Sequence, residues 1–313
     1  MTLLSTRPRR RSTTLAAAAA VTVVLSIGAC GTDTDVPATE ELTPSTSAVT
    51  LPVSAVTTTL VEPGAEPRAV VTAAPSDAAQ TATLVAESTI SQQIDAAEPQ
   101  DFSTPPLTLP MTATSRTAAG TGGLQVDMTL GAATTSDATL QASLGPTEGS
   151  SAGFATTASG AVTALTIDPS PDAQDIARSA VEQALSQAVS RAVPFPAEPV
   201  GVGAKWTVTQ EVVSGISLLQ TTTVTLTSFD DGVATVDVAV TQSPEEPIWQ
   251  LPDEQGILNI ESFVMTGQGQ LRIDPSKPLP LGGTVAVGGD QVYRDANSQT
   301  TLKQTTSNTV TWS

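Results

Sequence analysis

Two periodicities divide the chain. From Arg68 onward, apolar residues recur mostly at every second position, the spacing of a strand with one buried face. Leu124, Val126, Met128 and Leu130 alternate cleanly after Gly122-Gly123, and Leu107, Leu109, Met111 and Ala113 alternate with polar residues or proline. Leu84, Ile90 and Ile94 share one parity, and Val70-Val71 begins an earlier candidate strand. Residues 138–144 (Leu140, Ala142, Leu144), 152–157 and 161–167 extend the series, the last two flanking a Ser159-Gly160 turn. In the second half, Trp206 and Val208 are in phase, followed by Leu218, Val224 and Leu226. Phe229-Asp230-Asp231-Gly232 then makes a tight turn and Val236, Val238 and Val240 run back, the strongest hairpin signal in the chain. Residues 243–255 read as a Pro- and acid-rich loop holding Trp249. Residues 257–273 form a long strand or a bent pair around Gly267-Gln268-Gly269, and 285–293 and 300–312 complete the sheet.

One segment departs from this rhythm. Between Asp172 and Val193, apolar pairs fall at Ile176/Ala177, Ala180/Val181, Ala184/Leu185, Ala188/Val189 and Ala192/Val193. Spacing of four makes a stripe along one side of an amphipathic helix. Ser170 and Pro171 suit its start and Pro194 stops it. Its stripe is mostly small side chains, so the helix can lie close on a sheet; it serves either as simple packing or as a movable lid over an apolar cavity. The expected fold is therefore a β-rich α+β domain. A curved antiparallel sheet, with a half-barrel as one way to close it, carries one main amphipathic helix over about 172–193. Ile167-Asp168-Pro169-Ser170 returns as Ile273-Asp274-Pro275-Ser276, which fits two related meander halves or merely a common turn starter.

The N-terminus follows neither rhythm. Arg7, Arg9, Arg10 and Arg11 precede an apolar run from Leu15 to Ile27, then Gly28-Ala29-Cys30. That is a charged region, an apolar region and a small-residue cleavage site, with the chain's single cysteine directly after it. Residues 1–29 are expected to be a lipoprotein signal peptide, with Cys30 the lipidated N-terminus of the mature chain. An ordinary cleaved signal needs no cysteine there, and a membrane span needs about 20 apolar residues. Thr13 and Thr14 follow the arginine pair where twin-arginine export calls for apolar residues, so general secretion fits better. Residues 30–65 are rich in Thr, Ser, Pro and Ala without apolar periodicity, and are expected to be a disordered tether. It would reach roughly 100 Å if stiff and about 30 Å as a coil. Thr57-Thr58-Thr59 and nearby prolines suit O-glycosylation or an undecorated spacer. Residues 66–313 are then one β-rich domain at the extracytoplasmic face of the cell membrane.

Composition narrows the function by exclusion. Four of the 13 basic residues and none of the 31 acidic ones precede Cys30, which leaves nine against 31 and a mature net charge near −22. Such a surface repels phosphate backbones, so nucleic acid is a poor partner, and anionic headgroups are no better. The chain has no histidine, which removes Ser-His-Asp and Cys-His catalysis and His-ligated zinc. With the one thiol committed to lipid, no cysteine is left for disulfides, metal or nucleophilic attack. Trp206, Trp249, Tyr293 and Trp312 are scattered and make no stacking platform.

The motifs add little chemistry. Gly201-Val202-Gly203-Ala204-Lys205-Trp206 lacks the third glycine and the Lys-Ser/Thr pair of a phosphate loop, and reads better as a turn delivering Trp206 into the sheet's interior. Together with Phe195-Pro196-x-Glu198-Pro199-Val200 before it and Val208 after it, this stretch resembles a family of uncharacterised actinobacterial envelope lipoproteins. The similarity runs on through Gly267-x-Gly269 and Ile273-Asp274 and covers the C-terminal 120 residues or so. It implies an envelope location and, that family being of unknown function, no catalytic residues. By analogy of fold alone, it is similar to half-barrel lipid carriers of bacterial envelopes. No Ser-x-x-Lys occurs. The carboxylate pairs Asp230/Asp231, Glu245/Glu246 and Asp253/Glu254 are adjacent in sequence and suit solvated turns. Asp33-x-Asp35 lacks the remaining ligands of a calcium loop.

The expectation is a non-enzymatic, membrane-anchored lipoprotein with no cofactor and no metal. Its domain would bind a hydrophobic ligand or an envelope protein, with Val181, Leu185, Val189, Trp206 and Met265 as candidate lining residues. A structural or protein-interaction module of the envelope is the alternative, marked by a solid core and a large exposed apolar patch. A carboxylate-only hydrolase is a third, needing two acids about 5–10 Å apart across a cleft.

Overall fold

The computed structural model describes residues 48–118, 122–251 and 256–313. Cys30, the expected leader 1–29, residues 30–47 of the expected tether and the pair Asp253/Glu254 lie outside the described residues. Sixteen strands form one antiparallel sheet: β1 (Val49–Pro52), β2 (Thr57–Glu62), β3 (Ser76–Ile94), β4 (Gln100–Asp101), β5 (Thr104–Thr117), β6 (Leu124–Leu130), β7 (Thr134–Thr135), β8 (Ser151–Thr156), β9 (Val162–Asp168), β10 (Lys205–Ser214), β11 (Ile216–Asp230), β12 (Val233–Pro244), β13 (Ile248–Gln250), β14 (Ile257–Ile273), β15 (Gly282–Asp295) and β16 (Thr301–Trp312). Two short α-helices accompany it, α1 (Ala138–Leu144) and α2 (Asp175–Val189). The strand order is β1-β9-β8-β6-β5-β3-β16-β15-β14-β12-β11-β10-β2, with β4, β7 and β13 as short side branches.

The margins of this path carry a constraint. It begins with β1 and ends with β2, which do not pair with each other, so the sheet stays open. Yet only residues 53–56 separate the two strands in sequence. Laid flat, thirteen strands would hold their margins about 58 Å apart at 4.8 Å per step. The five residue steps from Pro52 to Thr57 span at most about 18 Å. The sheet therefore cannot be flat.

One face of the sheet is buried. Directly paired residues share a face, so the register Leu60–Trp206–Val224–Val238–Gly269–Val285–Val310–Ala86–Leu107 is a single apolar row from β2 to β5. Gly267 and Gly269 do not interrupt β14; they let it approach β15, where a methyl on Gly267 would lie 2.5 Å from Val287 Cγ2. Helix α2 packs against β3, β5 and β9 and buries Ala177, Val181, Ala184, Leu185 and Ala188. The Phe229–Gly232 turn forms as its residues dictate, with Asp231 at φ 51° and Gly232 at φ 81°, closing the β11–β12 hairpin.

Several expectations are corrected. Residues 138–144 are helix α1 and not a strand, so the domain has two helices rather than one. Leu140 and Leu144 satisfy both a spacing of two and a spacing of four, and the Asp137 carboxylate decides the matter by accepting from the Leu140 N–H at 2.8 Å as an N-cap. The long helix spans 175–189 instead of 172–193; residues 190–192 tighten into a turn, with Arg191 N bonded to Ala188 O. The last part of the expected tether is structured: β1 pairs with β9, and β2 with β10. Strands β1 and β2 thus bring residues before 66 into the same sheet as the rest of the domain. Val70-Val71 starts no strand; its neighbour Ala69 makes a single bridge to Val200. Trp249 lies in β13, not in a loop.

Candidate functional site: an apolar cleft beneath helix α2

A cleft of about 140 Å³ opens between α2 and the buried face of the sheet. Leu185, Ala188 and Val189 from α2, with Val193 and Phe195 after it, form one side. Leu124, Val126 and Met128 of β6, Phe154 of β8 and Leu165 of β9 form a second. Leu271 and Ile273 of β14, Leu279 after it, Val285, Val310 and Trp312 form a third. Strands β5 and β3 separate the second wall from the third in sheet order, so the sheet bends around the cleft.

The turn 274–280 that completes the third wall is held from outside. The Gln80 amide donates to Leu279 O at 3.0 Å and accepts from Leu279 N at 3.0 Å, and Ala74 N donates to Pro275 O at 2.9 Å. Within the turn, Asp274 Oδ1 accepts from Ser276 N and Ser276 Oγ at 2.9 and 2.7 Å. On the opposite side Phe195 N donates to Ser159 O at 2.9 Å. The walls are thus positioned by hydrogen bonds made largely to backbone groups, while the surfaces they present are mostly apolar.

Three charged residues reach the lining: Arg191, Asp274 and Lys277. Arg191 stands where α2 has just ended. Its Nη1 donates to Gln220 Oε1 at 2.6 Å, and its Nε is buried with no partner. Among the described residues no carboxylate pairs with it. Burial pushes the guanidinium down to about 10, which leaves it charged at neutral pH. Gln220 is 1% exposed and belongs to a cluster of amides on the same sheet face. Gln210 and Gln220 both donate to Ser190 O, at 2.8 and 3.0 Å, and Gln242 donates to Gln220 Oε1 at 2.8 Å. Gln210 and Gln220 thereby satisfy the Ser190 carbonyl at the end of the helix, where intrahelical donors run out, and Gln242 braces Gln220.

The five sequence-predicted residues fall in three places. Leu185 and Val189 line the cleft. Val181, one turn earlier, lines a separate void of about 10 Å³ with Leu130 and Ile167. Trp206 is fully buried behind the cleft: its ring lies 5.7 Å from that of Phe195, and its indole N–H donates to Pro194 O at 3.0 Å. It supports the lining without joining it. Met265 sits apart, on the row of Gln242 and Gly289, where its sulfur accepts from Gln291 Nε2. Sequence reasoning missed Phe154, Phe195, Trp312 and above all Arg191. One signal was available for the arginine, because 177, 181, 184, 188 and 191 continue a single helical stripe and place a charge on the apolar side.

The remaining candidate chemistry is dispersed. Asp230 and Asp231 are exposed at the hairpin tip, and Glu245 and Glu246 are exposed between β12 and β13. Among the described residues no group of three or more metal-ligating side chains converges, and no helix is long and apolar enough to cross a membrane. No family model matches the chain, and neither a curated protein nor a solved structure matches it.

Proposed function

We propose that this protein is a non-enzymatic, extracytoplasmic lipoprotein, held at the membrane by a lipid on Cys30, whose β-rich domain binds a hydrophobic ligand in the cleft beneath α2. The cleft is the observation that carries this reading. Its walls are aliphatic and aromatic side chains from six strands and one helix, and its volume is of the order of an apolar cavity that takes up benzene. The short link between the two sheet margins supports a half-barrel, a sheet curled about an apolar interior with α2 inside the curl. The leader, the lone cysteine and the resemblance carried by residues 195–208 support the envelope location. In this reading the anchor and the cleft work together: the anchor keeps the domain beside a bilayer, which is a reservoir of hydrophobic molecules.

The test is extraction. Protein purified from its own membrane is extracted with organic solvent and the extract examined by mass spectrometry. A hydrophobic molecule in near-stoichiometric amount is expected, and Leu185→Trp, which fills the cleft from α2, should remove most of it. A folded wild-type protein with an empty extract would refute the ligand-binding role. The anchor is tested separately: Cys30→Ser should move the protein from the membrane to the soluble fraction.

A further inference from the structure

A half-buried arginine with a buried, unpartnered Nε and, among the described residues, no carboxylate partner is an unusual thing to find at the wall of an apolar cleft. Transfer of a charge out of water is costly unless the charge is paired and hydrogen-bonded. Most buried polar groups in folded proteins have a partner, and one that lacks a partner calls for an explanation. Arg191 meets only half of its requirement. Gln220 gives it one neutral acceptor, and that same oxygen also accepts from Gln242. Its Nε has nothing. Arg178, within α2, likewise has a buried Nε without a partner, but it differs in having a carboxylate, Asp175 at 3.7 Å, and it donates to Ala173 O.

Local structure does not require a cation at position 191. The carbonyl end of α2 is already served by Gln210 and Gln220 at Ser190 O. The other charged residues of the lining, Asp274 and Lys277, carry opposite signs, and the Asp274 carboxylate is engaged by its own turn through Ser276. Arg191 therefore gives the lining a net positive charge within a chain of net charge −18. Among the described residues, the other polar side-chain groups of the lining are the neutral hydroxyls of Thr156 and Ser159 and the indole N–H of Trp312. A site of this kind combines a hydrocarbon-binding wall with one fixed cationic donor.

We infer that the ligand is an acidic amphiphile, a single hydrocarbon chain ending in a carboxylate, whose head pairs with the Arg191 guanidinium while its chain lies against Leu124, Phe154, Leu185 and Val189. This rests on the proposed ligand-binding function and adds the chemical class. A guanidinium offers a carboxylate a fork of N–H donors, and a charge-assisted pair out of water is stronger than a neutral one.

The experiment compares three probes built on a ten-carbon chain, with the full chain of the protein carrying Cys30→Ser and purified without detergent: decanoate, decanol and decyltrimethylammonium. Calorimetry reads affinity, and tryptophan fluorescence reports from Trp312 in the wall. Decanoate should bind at least about tenfold more tightly than decanol, the effect expected of one charge-assisted hydrogen-bonded pair. The cation should bind more weakly than either. Arg191→Met should bring decanoate down to the level of decanol, and Arg191→Lys should retain part of the preference; thermal melts of both variants show that they are folded. Equal binding of decanoate and decanol by the wild type overturns the acidic-head inference and leaves the hydrophobic cleft standing. So does an unchanged preference in Arg191→Met. If none of the three binds to folded protein, the ligand-binding function falls together with its refinement.

Discussion

Two rows of the same sheet face, four residues apart along the same strands, have opposite chemistry. The first runs through Trp206, Val224 and Val238; the second runs through Gln210, Gln220 and Gln242. Both are interior: Trp206 is fully buried and Gln220 is 1% exposed. Burial therefore does not distinguish them. What differs is the chain that lies over each. The helix and the segment leading out of it present aliphatic and aromatic side chains to the first row, where Trp206 meets Phe195 and Pro194. Where the helix has ended, it presents a carbonyl and a guanidinium to the second. A sheet interior takes the polarity of its cover, and a cover with a free helix end demands polar partners below it.

That contrast can be broken most forcefully in the apolar row. Trp206→Ala removes the largest fully buried side chain and should destabilise the fold by about 3–5 kcal/mol, seen as a lower denaturant midpoint at unchanged slope. A loss under about 1 kcal/mol would mean that the row is not the core.

In the amide row the expected result runs against simple hydrophobicity. Gln220→Leu makes a buried position more apolar, yet it should cost about 1–3 kcal/mol, because Arg191 and Gln242 both lose their acceptor. Combining it with Arg191→Met should recover most of the loss, since the stranded charge is gone as well. Additive losses in the double variant would show that the arginine and the glutamine are not coupled in this way.

A smaller effect, confined to alkaline pH, concerns a third region of the sheet, where Trp249, Leu258 and Tyr293 form a separate apolar cluster. The Trp249 and Tyr293 rings lie 5.1 Å apart. Burial pushes the Tyr293 phenol from its ordinary 10 up to about 12, so the fold favours the neutral form. Its contribution is complete below pH 10 and is lost as pH rises towards 12, roughly 2 kcal/mol in all. Stability measured across that window should fall in the wild type, and the fall should shrink in Tyr293→Phe. An identical decline in both would place the phenol in water.

Much of the sheet was legible because alternation is a local property. Leu124 to Leu130 and Val236 to Val240 announce an inner and an outer face without any knowledge of the partner strand, and the Asp231-Gly232 turn announces its own conformation. The misreadings occurred where local signals were neutral. Thr57-Thr58-Thr59 looks like spacer, yet it pairs with Val208 and its neighbours because β10 offers an unpaired edge. Leu140 and Leu144 fit either period, so a single cap from Asp137 settled the element. In the cleft, Leu185 and Val189 were found from the helix stripe alone. Phe154 and Trp312 could not be found in this way, because nothing local joins residues from β8 and β16 to one cavity.

Chain order and side-chain rhythm were thus enough to specify a β-rich protein with an amphipathic helix and an apolar inner face. Each of these depends on neighbours within a few residues. The cleft, the amide cluster and the unpaired guanidinium depend instead on how far the sheet curls and on where α2 stops above it. Those are set by long-range strand pairing and by the competition among distant groups for the last helical carbonyls, and no short window of sequence contains them.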